Sequence, residues 1–433
     1  MKVEIVSRET IKPSSPTPPH LKISKISFLD QQFIVEYSPV VYFYPANGDN
    51  DADELAERLK TSLSKTLTLY YPFAGRLRDR ISIECNDEGV EFVKARVLNC
   101  ALSDVIQQPD SKQLQNLLPI DIESKAAATE SLLVVQANFF KCGGMAIAVC
   151  ISHRVADGVS FFTFVNSWAS MARKSAQDKV MHPQFSVGPS LFPPLDSSLP
   201  TLEFPRGKCM MKRFVFNGSS IDALRVKTAS VSVQRPSKAE AVTALLWKCA
   251  IAASASNPSV SFCHRAVNLR RRFSPHLSDY AVGNLLASVA TKINIEKGRD
   301  VNLKTLLCQL RKPMQEFSIK EGQNPLGEQN KETGREENVH NFPCSTLCGM
   351  PIYEADFGWG KPIWVNVLKL LFPNIAFIQD TRNGDGIEAL VSLGEEEMAI
   401  FERNKELLAF ATSDTNSLQQ VNSSWNTDVF SRL

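Results

Sequence analysis

The sequence predicts a mixed α/β fold in two halves, and three observations carry that prediction. Stretches with strand patterning and stretches with helical patterning alternate along the chain. The 433 residues suffice for two domains of ordinary size, each with a core of its own. Between the halves, Pro183, Pro189, Pro193, Pro194, Pro200 and Pro205 interrupt any regular element across 174–213, which therefore reads as a long connection.

Residues 1–173 form the first half. After short extended pieces, Leu55, Leu59, Leu63 and Leu67 recur every four residues with charges between them, the signature of an amphipathic helix. Tyr71-Pro72 stops it. Strands are expected at 131–140 (SLLVVQANFF) and 145–152 (MAIAVCIS), joined by a Lys141-Cys142-Gly143-Gly144 turn. The apolar tract from Val159 to Arg173 then suits a buried helix. The second half, 214–411, is introduced by a strand at 212–216 and a helix at about 219–229. Ser237 and Glu240 have the spacing of a capping box ahead of AVTALLWKCAIAA. Further strands are expected at 285–293, 363–368, 375–379 and 387–393, and a last helix near 395–410. The charged segment 319–343 lacks apolar periodicity and reads as exposed and mobile. Residues 412–433 are a polar tail.

Composition removes several function classes. Apolar residues make up 43% and charged residues 22%, so overall disorder is excluded. A net charge of +2 provides no global field to recruit nucleic acid or a membrane surface, so a phosphate-bearing ligand needs a local basic cluster. No apolar run approaches the roughly 18 residues of a membrane span. The N-terminus lacks a secretory apolar region, which predicts a cytoplasmic protein with its ten cysteines reduced. Cys344 and Cys348 have no second ligand pair nearby, so no metal is expected. The final Ser431-Arg432-Leu433 resembles the S-K-L peroxisomal address, which leaves the peroxisome as the alternative compartment.

The chemistry points to His153-Arg154-Val155-Ala156-Asp157-Gly158, where a strand ends and a helix begins. A histidine held there can serve as a base near neutral pH if its ring is oriented, and a purely structural histidine is the other reading. Asp157 can cap the helix or tie the turn to an arginine. Cys150 precedes His153 by three residues, so a regular strand turns the two to opposite faces, against a Cys–His pair. No nucleophile elbow, P-loop or H-E-x-x-H motif is present. Asp356-Phe357-Gly358-Trp359-Gly360 reads as a tight, rigid turn.

Together, His153-x-x-x-Asp157-Gly158 and the later DFGWG resemble the signature pair of the BAHD acyltransferases, plant CoA-dependent enzymes. Tyr71-Pro72-Phe73-Ala74-Gly75-Arg76-Leu77, Asn268-Leu269-Arg270, Gly283-Asn284 and Gly384-Asp385-Gly386-Ile387-Glu388-Ala389 extend the resemblance over nearly the whole chain. IKPSSPTP and ECNDEGVEF are most similar to the vinorine synthase-like branch, which acylates hydroxyls of alkaloids and other specialised metabolites.

The resemblance implies two similar-sized α/β domains joined by a long crossover, with the active-site channel between them. It implies a monomer, no permanently bound cofactor, and acyl-CoA as cosubstrate, with acetyl-CoA the preferred donor. The partner is a small hydroxylated acceptor. His153 would be the general base, Asp157 would orient its loop by pairing with Arg270, and Asp356 would be structural, although the family sometimes counts it as catalytic. Ser345 stands where relatives carry an oxyanion-stabilising hydroxyl, while Leu347 replaces their Trp. Ser237 and Lys238, at a helix start, are candidates for the CoA phosphates, with Arg270 a lesser one. An amine, terpenoid or phenolic acceptor, or a CoA-binding relative without turnover, remain alternatives.

Overall fold

In the computed structural model, which describes residues 1–46, 51–120, 131–173, 182–196, 209–296, 300–317, 339–367 and 373–413, the leucine spacing forms the expected helix, Ala52–Leu69. Leu59, Leu63 and Leu67 are fully buried along one face. Asp51 caps the start, and the Tyr71–Ala74 turn ends the run. The strands Leu133–Phe140 and Met145–Ser152 are buried at every position, as strands covered on both faces must be. The turn between them closes with Phe140 N–H on the Gly144 carbonyl (2.9 Å). The helix Gly158–Arg173 follows directly.

One sheet has six strands, in the order Val3–Ile11, Val90–Val97, Leu133–Phe140, Met145–Ser152, Tyr37–Tyr44 and Trp364–Val367. The other has seven: Leu286–Asn294, Val260–Asn268, Val339–Thr346, Ile375–Asp380, Ile387–Gly394, Cys209–Phe216 and Thr412–Ser413. Both mix parallel and antiparallel pairs. Ala52–Leu69 and Gly158–Arg173 share one core with the first sheet; Lys238–Ala253 and Leu303–Glu316 share another with the second. A third cluster, with Val41, Phe43, Ala148 and Cys150 of the first sheet and Phe377 of the second, joins the halves.

Several boundaries move. The strand Trp364–Val367 pairs with Tyr37–Tyr44 of the first sheet, and Ile352, Phe357 and Trp359 join the first core. The 214–411 domain is therefore not contiguous in space. The aromatic turn finds its apolar surface on the first half, and the strand after it covers an otherwise open edge. Residues 209–213 of the expected connection are already strand Cys209–Phe216, and Thr412–Ser413 of the expected tail pairs with the same strand. The described part of the connection is packed: Phe185 meets Tyr70, Tyr71 and Phe73, and Phe192 meets Phe28 and Phe273. Residues 339–343 are not an exposed segment but strand Val339–Thr346, in which Phe342 and Cys344 face the second core. The last helix breaks into Glu395–Phe401 and Lys405–Leu408, the second capped by Asn404. Ser431-Arg432-Leu433 lies outside the described residues. No described helix is long and apolar enough to cross a membrane.

Candidate active site

His153 occupies the turn between the strand Met145–Ser152 and the helix Gly158–Arg173. Its backbone N–H donates to the Glu36 carbonyl (2.9 Å), and the Phe33 ring stacks on the imidazole at 4.7 Å with an 11° tilt. The ring's Nδ1 lies 3.2 Å from Oδ1 of Asn284. The tautomer follows from what else Asn284 does. Its Nδ2 donates to the His153 carbonyl (2.8 Å) and to Asp30 Oδ1 (2.9 Å), which commits both amide hydrogens. Oδ1 is then left to accept, so Nδ1 carries the proton and Nε2 of the neutral ring carries the lone pair.

Asp157 both caps the helix and ties the turn. Its Oδ1 accepts from Ser160 N–H (2.9 Å), and its carboxylate takes Arg270 Nη1 at 2.7 Å and Nη2 at 3.2 Å. Leu285 N–H adds a further donor at 3.1 Å. Neither partner of the ion pair exposes any side-chain surface. Arg270 also donates to the carbonyls of Ala281 and Gly283, to Ser160 Oγ and to Asn268 Oδ1. So engaged and buried, it cannot also reach a phosphate in the channel.

Gly158 opens the helix where another segment presses close: a Cβ there would lie 3.3 Å from Leu347 and 3.4 Å from Met350. Leu347, in the family's Trp position, thus packs beside the histidine's loop. Ser345, two residues earlier, is half-buried in strand Val339–Thr346, paired with Phe377.

The remaining candidates are engaged by other partners. Ser237 caps Lys238–Ala253 by accepting from Glu240 N–H, and Glu240 returns the bond. Lys238 Nζ is held by Asp380 (2.9 Å) and the Gly384 carbonyl (2.5 Å). Asp356 Oδ1 accepts from the N–H groups of Gly358 (2.8 Å) and Gly360 (2.9 Å), both at positive φ, and its other oxygen is 3.6 Å from Arg173. It shapes a turn. Cys150 is buried between the sheets, where desolvation pushes its thiol pKa far up, so it is no nucleophile. Among the described residues no His, Cys, Asp and Glu cluster could hold a metal ion.

Sequence reasoning did not assign Phe33 or Asp30 to this site, and it matched Asn284 to the family without giving it a role. No local pattern marks them, because they meet His153 only through the fold.

The profile described as Transferase family matches residues 1–408. Akuammiline synthase 1 of Alstonia scholaris is 38% identical over 94% of this chain and 97% of its own length. Stemmadenine O-acetyltransferase of Catharanthus roseus is 36% identical, over 92% and 96%. The crystal structure of vinorine synthase superposes with a TM-score of 0.84 at 34% identity, covering 95% of this chain and 99% of that one.

Proposed function

Since this chain belongs to the Transferase family, the BAHD acyltransferases, and is an acyl-CoA-dependent transferase, we propose that it moves an acetyl group from acetyl-CoA to a hydroxyl of a plant specialised metabolite, such as an alkaloid, with His153 as general base. The observation that carries this is the Asn284 contact, which leaves the ring's lone pair on Nε2.

Nε2 takes the acceptor's hydroxyl proton as the oxygen attacks the thioester carbonyl. The tetrahedral oxyanion forms with Ser345 as the hydroxyl donor proposed for it. Collapse breaks the C–S bond, the electron pair leaves with the CoA sulfur, and the imidazolium returns its proton to that thiolate. Asp157 and Arg270 keep the turn in place without touching the reacting atoms. Ser237 and Lys238 stand at the helix start proposed for the CoA phosphates; Lys238 would share its charge between Asp380 and the ligand. An acetyl donor and an oxygen acceptor are favoured by the name of the Catharanthus relative.

The test is product formation, followed by mass spectrometry, from acetyl-CoA and a panel of alkaloid, terpenoid and phenolic alcohols. His153→Ala should lose roughly 10²–10⁴-fold in rate while remaining folded. Transfer that survives in the folded variant would refute the assignment of the base.

A further inference from the structure

Asp30 takes no part in the reaction as written, yet it is the group behind the group that holds the base. It lies in the four-residue helix Phe28–Gln31, capped by Ser27. Its Oδ2 accepts from Ser27 N–H (2.8 Å) and Ser27 Oγ–H (2.6 Å). Its Oδ1 accepts from the N–H (2.6 Å) and Nδ2–H (2.9 Å) of Asn284, 254 residues away. Burial pushes the Asp30 pKa up, and a proton held on Oδ2 could face the Ser27 hydroxyl, so Oδ1 accepts from Asn284 in either protonation state. Asp30 Oδ2 completes the capping box with Ser27, whereas Oδ1 is given wholly to Asn284. Gly283, beside Asn284, adopts φ +129°, a conformation that favours glycine, and its Cα side faces the Asp30 carboxyl.

The accepting Oδ1 of Asp30 acts on a choice that Asn284 has to make. With its amide reversed, Asn284 would offer Nδ2–H to the imidazole Nδ1, and the ring proton would move to Nε2. A ring protonated there cannot accept a proton from an alcohol. Reversal would also turn the amide oxygen toward the Asp30 carboxylate and the His153 carbonyl, which is repulsive on both counts. From this geometry we infer that Asp30 is a positioning residue which, through Asn284, locks His153 in the Nδ1–H tautomer. Phe33, just past the same helix, fixes the plane of the ring whose tautomer Asp30 selects. The inference rests on the base role proposed for His153.

The experiment uses the full chain with ¹⁵N-labelled histidine and long-range ¹H–¹⁵N correlation of the rings, His153 being assigned by its loss in His153→Gln. The unmodified protein should show Nδ1–H at His153. Asp30→Ala, which removes the acceptor facing Asn284 Nδ2, should populate Nε2–H. Its kcat should fall roughly 10–100-fold, the size usual for groups that orient a functional histidine, with KM for acetyl-CoA within about twofold. Ser27→Ala removes a donor to Asp30 without touching Asn284, so it should lower stability and leave the tautomer unchanged. Asp30→Leu, close in volume and without an acceptor, serves the same purpose if Asp30→Ala does not fold. Nε2–H in the unmodified protein, or an unchanged ring pattern in a folded Asp30 variant, overturns the inference. The spectra need no turnover, so an Asp30-dependent tautomer in a protein that transfers nothing supports the clamp and defeats the transfer reaction alone.

Discussion

Replacing Asp157 with alanine should damage the protein through stability before it damages chemistry. The carboxylate accepts from Ser160 N–H, Leu285 N–H and both terminal nitrogens of Arg270. Its loss strands a guanidinium with no exposed side-chain surface, still hydrogen-bonded but with no counter-charge. A buried charge left without its partner costs about 3–5 kcal/mol. The lost helix cap is worth about 1 kcal/mol, and because the same oxygen serves both roles the two do not add in full. A total near 4 kcal/mol would take a large share of the roughly 5–15 kcal/mol by which domains are stable. Asp157→Asn keeps an oxygen for the cap but still leaves Arg270 without a counter-charge, so it should recover no more than the roughly 1 kcal/mol of the cap. Urea unfolding followed by tryptophan fluorescence and circular dichroism gives the comparison, and Arg270→Met completes a double-mutant cycle with a coupling of at least about 2 kcal/mol. A folded Asp157→Ala protein within about 1 kcal/mol of the parent would refute the reasoning.

Three further expectations are open to direct measurement. Gly358→Ala should lower stability by roughly 1–3 kcal/mol in denaturant titration, because φ is +99° and the added Cβ meets the Arg58 guanidinium and the Arg173 backbone. His340, buried against Ser261 Oγ (2.8 Å), has its pKa pushed down to about 4 by desolvation. The unfolded chain therefore takes up this proton first, and stability should fall by about 3 kcal/mol as pH drops from about 6.5 to 4; His340→Gln should flatten that slope in urea midpoints measured across the range. Fusions carrying a fluorescent protein at the N-terminus, with and without Ser431–Leu433, should differ in peroxisomal signal if the tripeptide is read as an address; identical diffuse signals would dismiss it.

What the sequence made legible was local. The four-residue leucine period, the Gly143-Gly144 turn and the Ser237–Glu240 box each depend on neighbours a few residues away, and each stands where expected. Strand Val339–Thr346 escaped notice because His340, Asn341 and Ser345 break its apolar alternation, and because parallel partners distant in sequence, not its own pattern, fix it as a strand. The strand Trp364–Val367 was expected, but not its place in the other half's sheet. At the site, the His153 turn and the Asp157–Arg270 pairing were anticipated, the pairing through the family resemblance. The clamp of Asp30, Asn284 and Phe33 was not, since its residues come together from chain segments far apart and only the tertiary fold gives them a shared purpose.

The strand Trp364–Val367 has a mechanical consequence. The chain leaves the second sheet after Thr346, pairs four residues with Tyr37–Tyr44, and is back in the second sheet at Ile375. The halves are thus laced rather than hinged, and swinging them apart would tear a backbone ladder out of a sheet. Cutting the connection at 197–208 should accordingly yield two fragments that stay together until the protein is denatured.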